Sequence, residues 1–225
     1  TKGTATRTAP QIAEAAEALG GVLDSNASWD RSQVSITVTR PQVAAALALV
    51  ADVVRQPRFT STELARARRQ AQDGLAVALG DPGSLSRMAV DRAAFGMGAL
   101  GHPADGTPGG LARIKRADVV AMHAAWYRPD NATLVFAGDI EPAQARALAE
   151  AAFGAWKKPA TPLPASVRDD RRTGTPAPIA IAMEDAGQAG IAMAAPAIAR
   201  DAPDYFAGVV ANALLGGGYS SRLNQ

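Results

Sequence analysis

Two histidines, His102 and His123, are the first residues to weigh for catalysis. His102 sits in a stretch rich in Gly and Pro. His123 sits in a helical stretch with no histidine one turn away. Zinc sites draw Cys and His from short, regular spacings, and the chain has no cysteine. The two histidines therefore do not spell a metal site, and His123 reads as an ordinary helix residue. No G-x-S-x-G elbow, Walker loop or G-x-G-x-x-G turn opens a helix after a strand. The best candidate for chemistry is Leu215-Gly216-Gly217-Gly218-Tyr219-Ser220-Ser221-Arg222-Leu223, where a predicted helix runs into three glycines. Glycines free the backbone for φ > 0 and uncover its N–H groups, which suits a ligand cradle. They suit a helix C-cap and turn equally well. The residue types alone leave both readings open.

The elements that must position these residues follow from capping and periodicity. Thr8-Ala9-Pro10-Gln11 resembles a capping box, and Ile12, Ala15, Ala16 and Leu19 keep helical spacing up to Gly20-Gly21. Residues 22–28 and 33–39 are expected as two strands about the turn Trp29-Asp30-Arg31. Val34, Ile36 and Val38 alternate with Ser35, Thr37 and Thr39 there. Helices are expected from Pro41 to about Gln56, from Thr60 to Leu79 with Glu63 at the capping-box position, and over 84–95. Residues 96–110 are expected as a loop, 115–126 and 142–156 as helices, and 132–137 as a buried strand. Residues 179–183 and 188–194 read as strands before the helix 204–215.

Composition narrows the function classes. The 23 Lys and Arg against 21 Asp and Glu give a net charge of +2, with no basic stripe of the kind that binds nucleic acid. No uncharged apolar run is long enough to span a membrane. The hydrophobic fraction of 48% rests heavily on alanine, which favours helices. Lys157 to Pro178 holds five prolines and the run Arg168-Asp169-Asp170-Arg171-Arg172, the marks of a solvated linker. The expected division is residues 1–158 as one domain, 159–178 as a charged Pro-rich linker and 179–225 as the start of a second domain. The abrupt ends Thr1-Lys2-Gly3 and Asn224-Gln225 read as the cut ends of a longer protein. The expected class is α+β, an antiparallel sheet packed with helices.

The order of motifs resembles the pitrilysin/insulinase family of zinc peptidases, the inverzincins. The matching stretches are Lys2-Gly3-Thr4-Ala5-Thr6-Arg7, Leu19-Gly20-Gly21, Asp81-Pro82, Gly101-His102-Pro103 leading to Gly106-Thr107, and Tyr127-Arg128-Pro129-Asp130-Asn131 leading to Gly138-Asp139. The glycine run with Ser221-Arg222-Leu223 is a further match. Together they extend over nearly the whole chain, each being weak alone. The resemblance implies a half built of antiparallel sheet and helices, then the beginning of a homologous half.

In active members of that family, H-x-x-E-H on a helix supplies two zinc ligands and the Glu that activates the metal-bound water. That motif would lie before Thr1. A distant Glu completes the ligand set, and its expected place in this sequence reads Asp73-Gly74. Glycine has no ligating side chain, and Asp is one methylene shorter than Glu. The segment Asp24-Ser25-Asn26-Ala27-Ser28 likewise departs from the family's Asn-Ala-x-Thr. The resemblance therefore implies a non-catalytic chain that binds no zinc itself, with no catalytic residue and Asp73 as its sole metal-ligand candidate. Such chains handle peptide substrate beside a homologous active peptidase chain, or form homodimers. Gly216, Gly217, Gly218 and Ser220 are the implied substrate-binding residues. Two alternatives stand beside this reading: an active zinc metalloendopeptidase whose H-x-x-E-H precedes residue 1, and a non-enzymatic assembly scaffold. The Ala- and Arg-rich composition suggests a bacterial source, and exported bacterial relatives suggest the periplasm.

Overall fold

A computed structural model describes residues 2–98, 100–165, 178–195 and 197–224. Helix α1 (Ala9–Ala18) starts on the capping box expected of it. The Thr8 side chain accepts from the Gln11 N–H, and the Gln11 side chain accepts from the Thr8 N–H at 2.8 Å. Strands β1 (Leu23–Ala27) and β2 (Ser32–Ile36) follow as an antiparallel pair in register Leu23 to Ile36 and Ser25 to Val34. The alternation in β2 puts Val34 and Ile36 on one face with Leu23. That face packs against Ile12 and Ala16 of α1 and against Leu49 and Val53 of α2 (Val43–Arg55). This small core is the best-buried part of the molecule.

Helix α2 is the hub. It contacts α1, β2 and α7 (Pro142–Phe153), and Arg55 Nη1 donates to the Ala152 carbonyl at 3.0 Å to tie α2 to α7. Helix α3 (Ser61–Gly80) is capped by Thr60, which accepts from the Glu63 N–H. The Glu63 carboxylate turns to Arg66 at 2.6 Å instead of closing a box. Helix α3 packs on α4 (Pro82–Phe95) and α5 (Pro108–Arg113), and α6 (Arg116–Trp126) follows directly. Helix α8 (Tyr205–Leu215) precedes the glycine run.

The structure corrects three expectations. Helix α4 begins at Pro82 rather than residue 84, because Asp81 both ends α3 and caps α4, its Oδ1 accepting the Ser84 N–H at 2.7 Å. Residues 108–110, expected as the end of a loop, instead open α5 (Pro108–Arg113). Thr107 caps it, Pro108 opens it, and Gly109-Gly110 disguise it. Residues 132–137, 179–183 and 188–194 are not laddered into a sheet among the described residues. Ala132 is extended (φ −115°, ψ 140°), but the segment it opens joins no ladder among the described residues. The charge run 168–172 lies outside the described residues.

Candidate functional site

The glycine loop is a return turn folded onto the end of α8. Both Gly216 and Gly217 donate to the Asn212 carbonyl, and Arg222 and Leu223 donate back to the carbonyls of Leu214 and Leu215 at 3.1 and 2.9 Å. The Asn224 side-chain amide donates to the Gly218 carbonyl, which also accepts from the Ser221 N–H. None of the three glycines takes a positive φ, so conformational freedom is not what the loop requires of them. Gly217 is instead needed for space: a Cβ there would lie 2.8 Å from the Ala213 Cα. A Cβ on Gly218 would meet nothing. The N–H groups of Gly218 and Tyr219 make no hydrogen bond among the described residues, and the Tyr219 side chain is fully out in solvent. Ser221 is buried with an unpartnered hydroxyl. The loop thus offers two adjacent backbone donors in an exposed turn, the chemistry that accepts a peptide carbonyl.

Asp73 lies on the exposed side of α3, beside Gly74. Among the described residues no group of three or more His, Cys, Asp or Glu side chains converges on it. Zinc in a protein needs at least three such ligands, and Asp73 supplies one carboxylate. The described residues do not by themselves fit a zinc ion. The two histidines occupy separate neighbourhoods. The His102 ring is 5.3 Å from Trp29, and its Nδ1 meets the Pro103 carbonyl at 2.9 Å. His123 stacks on Tyr127 at 4.6 Å, meets the edge of Phe59, and hydrogen-bonds through Nε2 to the Val54 carbonyl at the end of α2. It pins α6 to α2, in keeping with the ordinary role expected of it.

Two polar clusters escaped sequence reasoning. Near the start of the chain, Thr4 is fully buried and donates to Asp52 Oδ2 at 2.8 Å. Thr6 Oγ1 and Arg7 Nη1 donate to the same oxygen at 3.0 and 2.7 Å. Residues 3–5 lie along the exit of α2, with the Ala5 N–H on Gln56 and the Arg58 N–H on Gly3. One carboxylate in the last turn of α2 therefore anchors segment 3–7. The second cluster is Arg128, whose buried guanidinium grips Asp130 through two 2.7 Å hydrogen bonds. Those bonds hold the Asp130 carboxyl below its usual range despite some burial, and Lys158 at 3.6 Å adds a smaller pull. Asp81 is lowered too, first by its hydrogen bonds with Ser84. The signal that could have found Arg128 was its place inside Tyr-Arg-Pro-Asp-Asn, where an i, i+2 fork is possible in a turn.

Comparison with known proteins gives these arrangements a setting. The family model described as insulinase (peptidase family M16) matches residues 1–107, and that described as the peptidase M16 inactive domain matches residues 113–225. An uncharacterized zinc protease of Mycobacterium leprae is 28% identical over 228 residues, covering all of this chain and 50% of the relative. The mitochondrial-processing peptidase subunit alpha of Neurospora crassa is 30% identical over 156 residues, 69% of this chain and 27% of the relative. A crystal structure of a peptidase M16 inactive domain from Pseudomonas fluorescens superposes with a TM-score of 0.78 at 26% identity, covering 99% of this chain and 54% of that one. The chain spans about half the length of the full-length mycobacterial relatives it matches.

Proposed function

The chain belongs to peptidase family M16, the insulinase family, and from that premise we propose that it is a non-catalytic, substrate-handling chain of a two-chain zinc metallopeptidase. The observation that carries this reading is Asp73-Gly74 on the open side of α3, where the family resemblance implies a glutamate ligand. The likeness to a structure titled as an M16 inactive domain supports it, as does the likeness to one subunit of a processing peptidase. The proposed peptide contacts are Gly216, Gly217, Gly218 and Ser220, with the Gly218 N–H as a donor to a substrate carbonyl. The partner is a homologous active chain or a second copy, and the place of action is the periplasm. No helix among the described residues is long and apolar enough to cross a membrane.

A second reading has its own support. The mycobacterial relatives are named zinc proteases, which favours an active metalloendopeptidase whose H-x-x-E-H lies outside this sequence. One experiment separates the two. The full-length protein is assayed for bound zinc and for hydrolysis of a fluorogenic peptide, with and without a chelator. The non-catalytic reading expects no zinc and no hydrolysis until the active homologue is added. Chelator-sensitive hydrolysis by the chain alone would sink it.

A further inference from the structure

Between α3 and the short connector from α5 to α6 lies an open cleft of about 590 Å³, lined by Arg68, Ala112, Arg113, Ile114, Lys115 and Asp118. The connector is two residues of extended chain, Ile114 (φ −59°, ψ 125°) and Lys115 (φ −106°, ψ 162°). It places a basic run beside a basic helix face. Arg68 reaches across from α3, and its Nη2 donates to the Ile114 carbonyl. Its Nε is buried and has no acceptor. Arg113 and Lys115 take part in no ion pair among the described residues. The one acid in the cleft, Asp118, already accepts the Lys115 backbone N–H at 2.7 Å. Arg116 is committed elsewhere, to the carbonyls of Phe59 and Arg58.

Three cations thus meet one occupied carboxylate, in a chain whose net charge is only +2. Like charges held together repel, and a buried guanidinium N–H without an acceptor is costly. A ligand carboxylate answers the first of these: it neutralises Arg113 and Lys115 and adds a counter-charge beside Arg68. The volume lies within the range of ordinary ligand sites, about 300–1,000 Å³, and holds short side chains rather than a folded partner.

We propose that this cleft is an accessory recognition site for acidic side chains of a peptide substrate. The inference rests on the peptide-handling reading and adds to it a preference for acidic sequence. Arg113 and Lys115 capture the carboxylate from solvent, and the Arg68 charge beside them adds to the attraction.

The test uses fluorescein-labelled hexaglutamate and hexaglutamine peptides, titrated with the intact chain and followed by anisotropy. Hexaglutamate binds about tenfold more tightly at low salt, and the preference disappears at high salt as exposed charges are screened. The double substitution Arg113→Gln/Lys115→Gln, at exposed positions, weakens hexaglutamate about 3–10-fold and leaves hexaglutamine unchanged. Asp118→Asn keeps a side-chain cap, removes the opposing charge and tightens hexaglutamate about 2–3-fold, a gain that no folding defect imitates. Equal binding of the two peptides, or indifference of hexaglutamate to both variants, overturns the proposal while leaving peptide handling intact. Displacement of hexaglutamate by inorganic phosphate at equal concentration overturns it in favour of a general oxyanion site. Failure of both peptides to bind removes the peptide-handling reading itself.

Discussion

Replacing Asp52 by Ala tests the claim that one carboxylate anchors segment 3–7. Three donors share its Oδ2: Thr4 at 2.8 Å, Thr6 at 3.0 Å and Arg7 at 2.7 Å. Their losses are unequal. Thr4 has no exposed surface, so its hydroxyl loses a charged acceptor that water cannot replace, which costs about 1–3 kcal/mol. The Arg7 side chain is 42% exposed, which limits its ion pair to about 0.2–1 kcal/mol. Thr6 is exposed and finds water at little cost. The expected total is about 1–4 kcal/mol. In a chain of this size that lowers Tm by about 2–16 °C. Asp52→Asn keeps an acceptor oxygen and should cost about half as much. Urea unfolding followed by circular dichroism measures both, with an unchanged m-value as the sign that only stability moved. Hydrogen exchange at the Ala5 and Arg58 amides should speed up first. An Asp52→Ala variant within about 0.5 kcal/mol of the parent would refute the anchoring role. An Asp52→Asn variant as damaging as Asp52→Ala would refute it too, making charge rather than hydrogen bonding the source.

Other substitutions probe the packing and the pH response. Gly74→Ala should raise stability by about 0.5–1 kcal/mol in thermal melts, because the added Cβ meets nothing within 4 Å on an exposed helix. Gly217→Ala should lower stability by about 1–3 kcal/mol through its clash with Ala213 while Gly218→Ala is tolerated, and equal responses would contradict the loop packing. Leu49→Ala, in the best-packed core, should cost about 2–5 kcal/mol in urea midpoints. Arg128 depresses the folded pKa of Asp130 below the ordinary 3.8, so that contribution is complete above this value and is lost as pH falls through the folded pKa. Melts between pH 5 and pH 2.5 should therefore fall less steeply for Asp130→Asn than for the parent, and parallel curves would exclude the pair as a source of acid sensitivity.

Local signals in the sequence carried some elements well and others poorly. The Thr8–Gln11 box and the alternation of Val34 and Ile36 depend on neighbours in sequence; α1 starts on its box, and β2 forms over Ser32–Ile36 but stops short of the expected end at residue 39. Asp81 was legible as a helix breaker but not as the cap of the next helix, since one residue serves both ends. Helix α5 was hidden because Gly109 and Gly110 outweigh the Thr107-Pro108 start on propensity alone. Asp52 looks like any polar residue on a helix. Its meaning comes from Thr4, 48 positions away, and no periodicity records such a contact. The candidate loop was visible as glycine, but the reason for Gly217 is the nearness of Ala213, a fact of packing rather than of backbone freedom.

The apolar run Ala132-Thr133-Leu134-Val135-Phe136-Ala137 has a further consequence. It carries no charge and no proline, has high strand propensity, and leaves Val135 77% exposed. Strand-forming residues whose backbone groups lie outside a ladder are a template for addition of another strand. Kept in isolation at high concentration, this chain should lose solubility through that segment first. A single lysine at position 135 would guard the edge against self-assembly without touching the core under α1 and α2.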